Sequence, residues 1–378
     1  TFMRVAFLTY SFSMHINIKA KYFLKPNDKV YFFAIHTRQR RKDLDAPLEY
    51  RDNMIVIQLI HDDMDWEQII KNTWKMYWTV KKNKVQIVHI IDMAFAIYGI
   101  LLSLLGVNVI LENNGSDVLL ASNDSKLCKR YKLAYKLCKG VVQDSYVAQQ
   151  AGIKLGAPST NNEIIELGID TSIFNLNVEK GVFKEKYNIP KDAKVIFSPR
   201  TLRPLCNIGE IIDTIKPVLE QYPNTYYVFC SQIRNITYEN RIKQEGLNNH
   251  VIYLGYIDNE KEMPYIYRDS DIVISIPNSD SSPRSVYEAI ACGSNVIVSD
   301  LPWIGNKFTH NKELFIVKLH DRKELLNNII NILSGRTEIN DETGFNKIKQ
   351  ILDYRISEKK LRKIYTKIIR RKNDKRLF

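Results

Sequence analysis

Short apolar runs rich in β-branched and aromatic residues alternate along the chain with segments long enough for helices. This alternation is typical of βα units that build parallel sheets, and not of a β-sandwich. A first series of runs predicts strands at 4–10, 29–35, 54–60, 85–90, 107–111, 140–144 and 163–167. A second series predicts strands at 194–198, 225–230, 251–255, 271–276, 294–299 and 314–318.

A polar stretch without strand character, Phe174–Ala193, separates the two series. At 378 residues the chain exceeds the usual size of one compact core, so we expect two domains. We predict an N-terminal Rossmann-like domain at 1–175, a C-terminal Rossmann-like domain at 176–352, and a basic helix at 353–378 that packs back on the first domain. Ligands of doubly wound sheets bind beyond the carboxyl ends of the strands, which predicts a cleft between the two domains.

The apolar stretch Met93–Leu111 raises the question of a membrane span. Gly106 is a natural helix stop, and the residues after it have the pattern of a β-strand. The helix that remains has about a dozen residues, which is too short to cross a bilayer. We therefore predict a helix followed by a strand here, and no span.

The net charge of +13 favours an anionic partner, and much of the excess lies in the tail at 355–376. Basic and apolar residues alternate in this tail as they do in an amphipathic helix. The tail is either a solvated helix face docked on the protein or a surface for an anionic membrane. No recognised motif supports nucleic-acid binding. Five scattered cysteines and the lack of a signal peptide before Met3 predict a cytoplasmic protein.

The segment Ser270–Asn306 carries the clearest chemistry. A hydrophobic strand is followed by a polar loop and by a helix that opens at Pro283, with Ser282 as its N-cap, and stops at Gly293. The free N–H groups and the positive dipole of such a helix start suit a phosphate. We expect Glu288 on a partly exposed face of this helix, where its carboxylate accepts two hydrogen bonds from a ribose diol.

Asp280 and Glu288 are separated by seven residues and followed by the runs EAIACG and VIVSD. This pattern resembles glycosyltransferase family 4, in a variant branch with an SD...EA motif. The resemblance implies the GT-B fold, in which two Rossmann-like domains face a central cleft, and a retaining transfer of a sugar from a nucleotide-sugar donor. It also implies that Asp280 is catalytic and holds hydroxyls of the donor sugar, that Glu288 binds the ribose, and that Ser282 and Ser285 belong to the donor site. The family's first acid is usually Glu, and this chain has Asp280 there. The alternative interpretation of the segment is an ordinary strand, loop and helix with a capping aspartate.

The segment VIFSPRTLRPLCNIGEII resembles the turn with which the family neutralises the donor diphosphate through an arginine and a lysine. In this chain Cys206 stands at the lysine position and Asn207 at the glycine position that follows. Arg200 and Arg203 are therefore the candidates to bind the diphosphate, since a guanidinium can bind phosphate with two hydrogen bonds. Arg284, in the first turn of the predicted donor-site helix, is a third candidate, with a solvated surface position as its alternative.

Two loops of the first domain also resemble the family. Ser13 and His15 follow the first strand and are expected to face the cleft near the acceptor or the diphosphate. The other loop contains Asn114, Gly115, Ser116 and Asp117. The resemblance implies catalytic roles for His15 and Asn114, but Asn114 replaces an aromatic residue or a histidine and cannot carry a proton at neutral pH. A capping or surface role for His15 and a purely structural turn at Asn114 are the alternatives.

The implied donor is a UDP- or GDP-sugar, and no cofactor is expected. The leaving diphosphate would help to deprotonate the acceptor, and no His/Cys cluster has metal-ligand spacing, so we predict that no metal is required. The implied acceptor is a glycan or lipid-linked glycan in the synthesis of an envelope polysaccharide, a lipopolysaccharide or a glycoconjugate, at the inner face of the cell membrane. A catalytically inactive GT-B scaffold or partner subunit, and a sugar-nucleotide epimerase, are the alternatives.

Overall fold

The computed structural model describes residues 2–10, 14–23, 25, 27–37, 52–61, 65–119, 121, 125–231, 234–305, 307–337 and 339–374. Contacts divide the chain into two compact units. Unit 1 comprises Thr1–Leu167 and Tyr354–Phe378, and unit 2 comprises Gly168–Asp353. Each unit is an α/β domain with its own parallel sheet.

Unit 1 is built on a seven-stranded parallel sheet. Its strands are β1 Arg4–Tyr10, β2 Lys29–Thr37, β3 Met54–His61, β4 Ile87–Ile91, β5 Val109–Asn113, β6 Gly140–Gln143 and β7 Asn162–Ile164. They pair in the order β3-β2-β1-β4-β5-β6-β7. Successive residues face opposite sides of the sheet, so Phe7 and Phe32 lie in one core and Leu8 and Phe33 in another. Both faces of the sheet are therefore buried and need helices to cover them.

The helices of unit 1 that precede unit 2 are α1 Met14–Lys21, α2 Trp66–Lys82, α3 Ala96–Leu104, α4 Ser116–Leu119, α5 Ser125–Leu137 and α6 Tyr146–Lys154. Helices α2, α3 and α5 contribute to the core around Leu8, and α1 contributes to the core around Phe7. Helix α3 ends at Leu104 and β5 begins at Val109, which confirms the predicted helix and strand in the apolar stretch. Within the part of the chain that the structure describes, no helix is long and apolar enough to cross a bilayer.

Unit 2 is built on a six-stranded parallel sheet in the order β10-β9-β8-β11-β12-β13. Its strands are β8 Lys194–Ser198, β9 Thr225–Cys230, β10 Val251–Leu254, β11 Ile272–Ser275, β12 Asn295–Ser299 and β13 Phe315–Val317. Its helices are α7 Val182–Lys186, α8 Ile208–Asp213, α9 Ile215–Gln221, α10 Ile236–Gln244, α11 Met263–Asp269, α12 Arg284–Ala291, α13 Arg322–Leu333 and α14 Asp341–Ile351. Every predicted strand of both series is present, with bounds that differ by at most three residues because strand ends are weakly defined.

The chain returns to unit 1 through α15, Tyr354–Asp374. Its apolar side chains lie in the core of unit 1: Leu361, Ile364, Tyr365 and Ile368. Arg362 joins this packing, because its Nη2 donates to Tyr22 O at 2.7 Å and pairs with Asp28. The apolar side of the basic tail therefore stabilises unit 1, and its exposed lysines are the part that faces outward.

The two units meet in sequence between Leu167 and Gly168, whereas the sequence pattern placed the boundary at 175. Phe174 is fully buried in a core of unit 2, and the backbone N–H of Ile169 donates to Leu352 O at 2.8 Å. The segment 168–175 therefore packs with unit 2, because its side chains complete that core.

Candidate functional site

The predicted donor-site residues of unit 2 lie at the carboxyl edge of its sheet. The strand order reverses between β8 and β11, which are neighbours in the sheet. Arg200 and Arg203 follow β8, and Asp280 follows β11. Parallel neighbours end at the same edge, so both loops start at the switch point where doubly wound sheets bind their ligands.

The structure brings Arg200 and Asp280 together as an ion pair. Arg200 Nε also donates to Ser275 Oγ at 2.7 Å, and Asp280 Oδ1 accepts a hydrogen bond from Ser281 N at 2.9 Å. Both ionic side chains are partly exposed, Arg200 at 21% and Asp280 at 15%. A ligand can therefore reach the pair, and a phosphate would compete with Asp280 for the guanidinium.

The turn after β8 contains Cys206 and Asn207, the two residues that depart from the resembled family's pattern. Cys206 is buried, and Asn207 has left-handed backbone angles, φ 52° and ψ 34°, which asparagine tolerates better than most residues. The Asn207 side chain donates to Ile276 O at 2.9 Å and to Asn278 Oδ1 at 2.7 Å. These bonds join the β8 loop to the β11 loop. Arg203, on the same turn, is exposed.

Helix α12 starts one residue later than the sequence predicted. Its N-cap is Pro283, which makes no side-chain capping bond, so the prediction of Ser282 as the N-cap is wrong. Ser282 Oγ lies 3.5 Å from Tyr287 Oη instead, and Ser285 is half-buried in the first turn. An anionic ligand at this end of α12 would take the place of a side-chain cap.

Glu288 lies on α12 with only 3% of its surface exposed, which corrects the expectation of a partly exposed position. Its Oε1 accepts from Asn259 Nδ2 and faces Arg284 Nη2, both at 3.2 Å, and its Oε2 accepts from Tyr267 Oη at 3.2 Å. Burial raises the pKa of Glu288, and the charge of Arg284 opposes that shift. All three contacts are longer than a typical charge-assisted hydrogen bond, so a ligand hydroxyl can improve on them.

Arg284 is 14% exposed, so it does not occupy a solvated surface position. Its Nη2 faces Glu288, whereas its Nε and Nη1 are buried and no residue that the structure describes accepts a hydrogen bond from them. A buried donor without an acceptor costs about 1–3 kcal/mol. The two donors therefore favour an anionic ligand beside α12.

In unit 1, Asn114 and Gly115 form a turn after β5, and the φ of 84° at Gly115 favours glycine. The carboxylate of Asp117 accepts hydrogen bonds from the backbone N–H groups of Asn114 at 3.0 Å and Met93 at 3.1 Å. Burial, and then the charge of Asp92, raise the pKa of Asp117 to about 7. Asp117 therefore fixes the turn, while a catalytic role for Asn114 stays a prediction.

The other predicted residues of unit 1 lie at helix starts or outside the described ranges. Ser116 begins α4, and His15 lies in the first turn of α1 and not in a loop. Ser13 lies outside the described residues. Both segments follow strands of one parallel sheet, β1 and β5, so they leave the sheet at the same edge.

This chain resembles known proteins in sequence and in fold. Residues 179–350, which lie within unit 2, match the family model for glycosyl transferases group 1. A glycosyltransferase from Rickettsia africae is similar over 98% of this chain and 99% of its own, with a TM-score of 0.82 and 18% identity. Alr3699/HepE of Anabaena, crystallised with UDP and glucose, is similar over 96% of this chain and 99% of its own, with a TM-score of 0.78 and 16% identity.

The fold is GT-B. A sucrose-phosphate synthase from Thermosynechococcus elongatus shares it over 97% of this chain and 99% of its own, with a TM-score of 0.77 and 13% identity. A search of curated protein sequences finds no match. The predicted fold class is confirmed, and the GT-B likeness at these identities concerns the fold alone.

Sequence reasoning missed the residues that contact Glu288 and Arg200 within unit 2. Tyr267 has the pattern of a core residue on α11, and Asn259 lies in a loop without a motif. Ser275 is the last residue of β11. Position along the chain could have identified two of them, because Asn259 and Ser275 lie near the carboxyl ends of strands, where ligands of such sheets bind.

Acidic residues elsewhere in unit 2 have structural roles. Asp269 and Asp271 are spaced like a metal-binding pair, but they precede β11. Asp269 accepts hydrogen bonds from Phe183 N at 2.9 Å and Lys184 N at 3.1 Å, and Asp271 accepts from Val195 N at 2.9 Å. Across the described residues, no group of three or more His, Cys, Asp or Glu side chains is arranged to hold a metal ion.

Proposed function

We propose that this chain is a retaining glycosyltransferase that uses a nucleotide-sugar donor and belongs to the variant branch of family 4. The observation that carries the proposal is the buried pair of Glu288 and Arg284, a carboxylate with long contacts beside two guanidinium N–H groups without an acceptor. A nucleotide supplies what both groups lack, because its ribose hydroxyls donate and its phosphates accept. The family match of residues 179–350 and the UDP bound to HepE support the same donor class.

The proposed donor site consists of Glu288 on the ribose, Arg200, Arg203 and Arg284 on the diphosphate, Ser282 and Ser285 at the start of α12, and Asp280 on the donor sugar. Arg200 forms an ion pair with Asp280. A diphosphate draws the guanidinium away, which leaves the Asp280 carboxylate able to accept hydroxyls of the sugar. The arginines supply the charge that the family's lysine would otherwise provide at Cys206.

In the proposed transfer, the bond between the anomeric carbon and the diphosphate oxygen breaks, and the acceptor oxygen bonds to the same face of the sugar. The acceptor proton passes to the leaving diphosphate. Guanidinium groups and the start of α12 stabilise the charge that develops there. The reaction needs neither a cofactor nor a metal, so it should continue in EDTA.

The proposed acceptor is a glycan or a lipid-linked glycan that receives a hexosyl or N-acetylhexosaminyl group. We assign its binding to unit 1, through His15 and Ser13 after β1 and through the turn of Asn114 and Gly115 with Ser116 and Asp117 at the start of α4. The net charge of +13 and the exposed lysines of α15 support the proposal that the protein acts at the inner face of the cell membrane.

Thermal unfolding in the presence of UDP, GDP, ADP and their sugars tests the proposal. A ligand at a hundred times its Kd stabilises the folded chain by about 2.7 kcal/mol, and we expect this for a uridine or guanosine nucleotide. With the best donor, the product should keep the donor's anomeric configuration, and Asp280→Asn should lower kcat more than donor affinity. No protection by any nucleotide contradicts the proposal, and protection without transfer to any acceptor favours an inactive scaffold.

A further inference from the structure

Helix α2 presents a row of large apolar side chains to solvent. Trp66, Ile70, Trp74 and Trp78 are 60%, 51%, 46% and 64% exposed. They recur every four residues, about once per turn, along about 18 Å of helix. The opposite side of the helix fills the core of unit 1 with Ile69, Asn72, Thr73, Met76 and Val80. The exposed row is thus an apolar surface that the fold of unit 1 does not use.

Two side chains of this row, Trp74 and Trp78, contact the ring of Tyr77 between them. The ring of Tyr77 lies edge-on to Trp74 and Trp78, with centroids 5.6 and 5.5 Å apart. Lys81 Nζ lies 5.2 Å from the centroid of Tyr77. Ring contacts therefore hold Trp74 and Trp78 before they meet a partner, which lowers the entropy lost on binding.

Exposed lysines flank the row: Lys71, Lys75, Lys81 and Lys82. Lys71 and Lys75 come one position after Ile70 and Trp74, so they lie beside these residues on the outer side of the helix. Glu67 is the acidic residue of α2 on that side. The surface thus combines aromatic rings with positive charge.

We propose that α2 docks on an anionic lipid bilayer. Tryptophan is favoured at the boundary between headgroups and acyl chains, because its ring is apolar and its N–H is polar. Lysines beside the row are attracted to anionic headgroups. A protein partner fits this surface less well, because lysine is depleted at protein interfaces although tryptophan is enriched there.

Docking through α2 rests on the proposed location at the cell membrane and deepens it, but it requires neither donor nor transfer. The net charge of +13 favours the same anionic occupant. Vesicle binding is measured without nucleotide, and nucleotide binding without vesicles. Failure of vesicle binding therefore leaves the proposed donor site and transfer unaffected, and failure of nucleotide binding leaves the docking unaffected.

Intrinsic fluorescence reports directly on this surface. Three of the four tryptophans lie on α2, and the fourth, Trp303, is 4% exposed within unit 2. With vesicles of phosphatidylglycerol and phosphatidylcholine in equal parts, at low ionic strength, we expect a blue shift and quenching by brominated acyl chains. Phosphatidylcholine alone should give a smaller change, and added salt should weaken binding to the anionic vesicles.

Matched variants locate the surface. The double variant Trp74→Ser, Trp78→Ser should bind anionic vesicles about tenfold more weakly, while its unfolding midpoint and nucleotide affinity stay unchanged. The control Leu104→Ser, Ile236→Ser removes two other exposed apolar side chains, 66% and 70% exposed, and should bind vesicles as the unchanged chain does. A triple variant of α15, Lys359→Glu, Lys360→Glu, Arg370→Glu, should retain quenching by brominated lipid.

Three outcomes overturn the proposal. The first is no quenching by brominated lipid at low salt. The second is equal vesicle binding by the Trp74→Ser, Trp78→Ser variant, or loss confined to the α15 variant. The third is self-association without lipid that this tryptophan variant abolishes, which assigns the row to a second copy of the chain.

Discussion

Two buried glutamates, one in each unit, are held in opposite ways. In unit 1, Glu112 Oε2 lies 2.5 Å from Lys19 Nζ and 2.9 Å from His89 Nε2. In unit 2, the three contacts of Glu288 are each 3.2 Å long. Burial raises the pKa of both carboxyls, but Lys19 and His89 outweigh it and bring the pKa of Glu112 to about 2, whereas the pKa of Glu288 stays raised.

This difference separates a structural carboxylate from one that is prepared for a ligand. Glu112 on β5 ties α1 to the sheet through Lys19, and His89 Nδ1 lies 2.6 Å from Tyr365 Oη of α15. Lys19 and His89 thus hold Glu112 within the polar network that joins α1, the sheet and α15. Glu288 and Arg284 retain weak contacts and unpaired donors, so a nucleotide can improve their interactions.

The largest expected effect distinguishes the two carboxylates by stability. Glu112→Ala should destabilise unit 1 by about 3–5 kcal/mol, because it leaves the ammonium of Lys19 buried without a counter-charge. Glu288→Gln should cost less, because burial outweighs the pairing of Glu288 with Arg284 and already disfavours the charged form, and because Arg284 keeps some contact with solvent. Urea unfolding followed by circular dichroism measures both. Equal losses of unfolding free energy in the two variants would contradict the proposed difference between Glu112 and Glu288.

Acid should weaken unit 1 through Glu112. Its pKa is lowered from 4.5 to about 2, so its stabilisation is complete above pH 4.5 and is lost as the pH falls towards 2, on the order of 3 kcal/mol. Burial lowers the pKa of His89, which adds a loss in the same direction below its ordinary value of 6.5. Urea unfolding of Glu112→Gln should depend less on pH than that of the unchanged chain. If the unfolding free energies of both proteins fall in parallel with pH, Glu112 is not the group responsible for the loss in acid.

A smaller effect tests the diphosphate side of the donor site. Arg200→Ala should weaken nucleoside diphosphate binding by about tenfold to a hundredfold, since a hydrogen bond to a charged group contributes about 1.5–3 kcal/mol. Nucleoside binding should hardly change. Arg336→Ala, at an exposed arginine of unit 2 that has no place in the proposed donor site, is the matched control and should cost about 0–1 kcal/mol. If diphosphate and nucleoside affinities fall equally, Arg200 is structural.

The smallest effect concerns the helix starts of the two units. Asp65 caps α2 by accepting from Gln68 N at 3.1 Å, so Asp65→Ala should cost about 1 kcal/mol of stability. Ser282→Ala should cost less than about 0.5 kcal/mol, because Ser282 does not cap α12. Thermal unfolding of both variants measures the difference. A larger cost at Ser282 would restore it as a cap and weaken the case for a ligand at that helix start.

The sequence predicted the fold well because strands and helices leave local periodic patterns. The spacing of Asp280 and Glu288 also pointed to the loop after β11 and to α12, where we propose the donor site. The burial of Glu288 could not be predicted, because it depends on Tyr267 and Asn259, which are 21 and 29 residues away. The prediction of Ser282 as the N-cap was wrong for a similar reason, because packing as well as residue type determines where a helix starts.

The same limits apply to the polar network of unit 1. Lys19 and Glu112 are 93 residues apart, and His89 and Tyr365 are 276 apart. Each residue type alone suggests an exposed charge or an ordinary core aromatic. Only the strand order and the return of α15 to unit 1 bring them together.

The central claim is that Glu288 binds the ribose of a nucleotide donor. Calorimetric titration of UDP and of 2′,3′-dideoxy-UDP into the unchanged chain and Glu288→Gln tests it most directly. Glu313→Gln is the matched control, since Glu313 is also 3% exposed in unit 2 and accepts from Thr309 N at 2.8 Å. The unchanged chain and the control should prefer UDP by about tenfold, and Glu288→Gln should lose that preference. An undiminished preference for the ribose in Glu288→Gln would contradict the account.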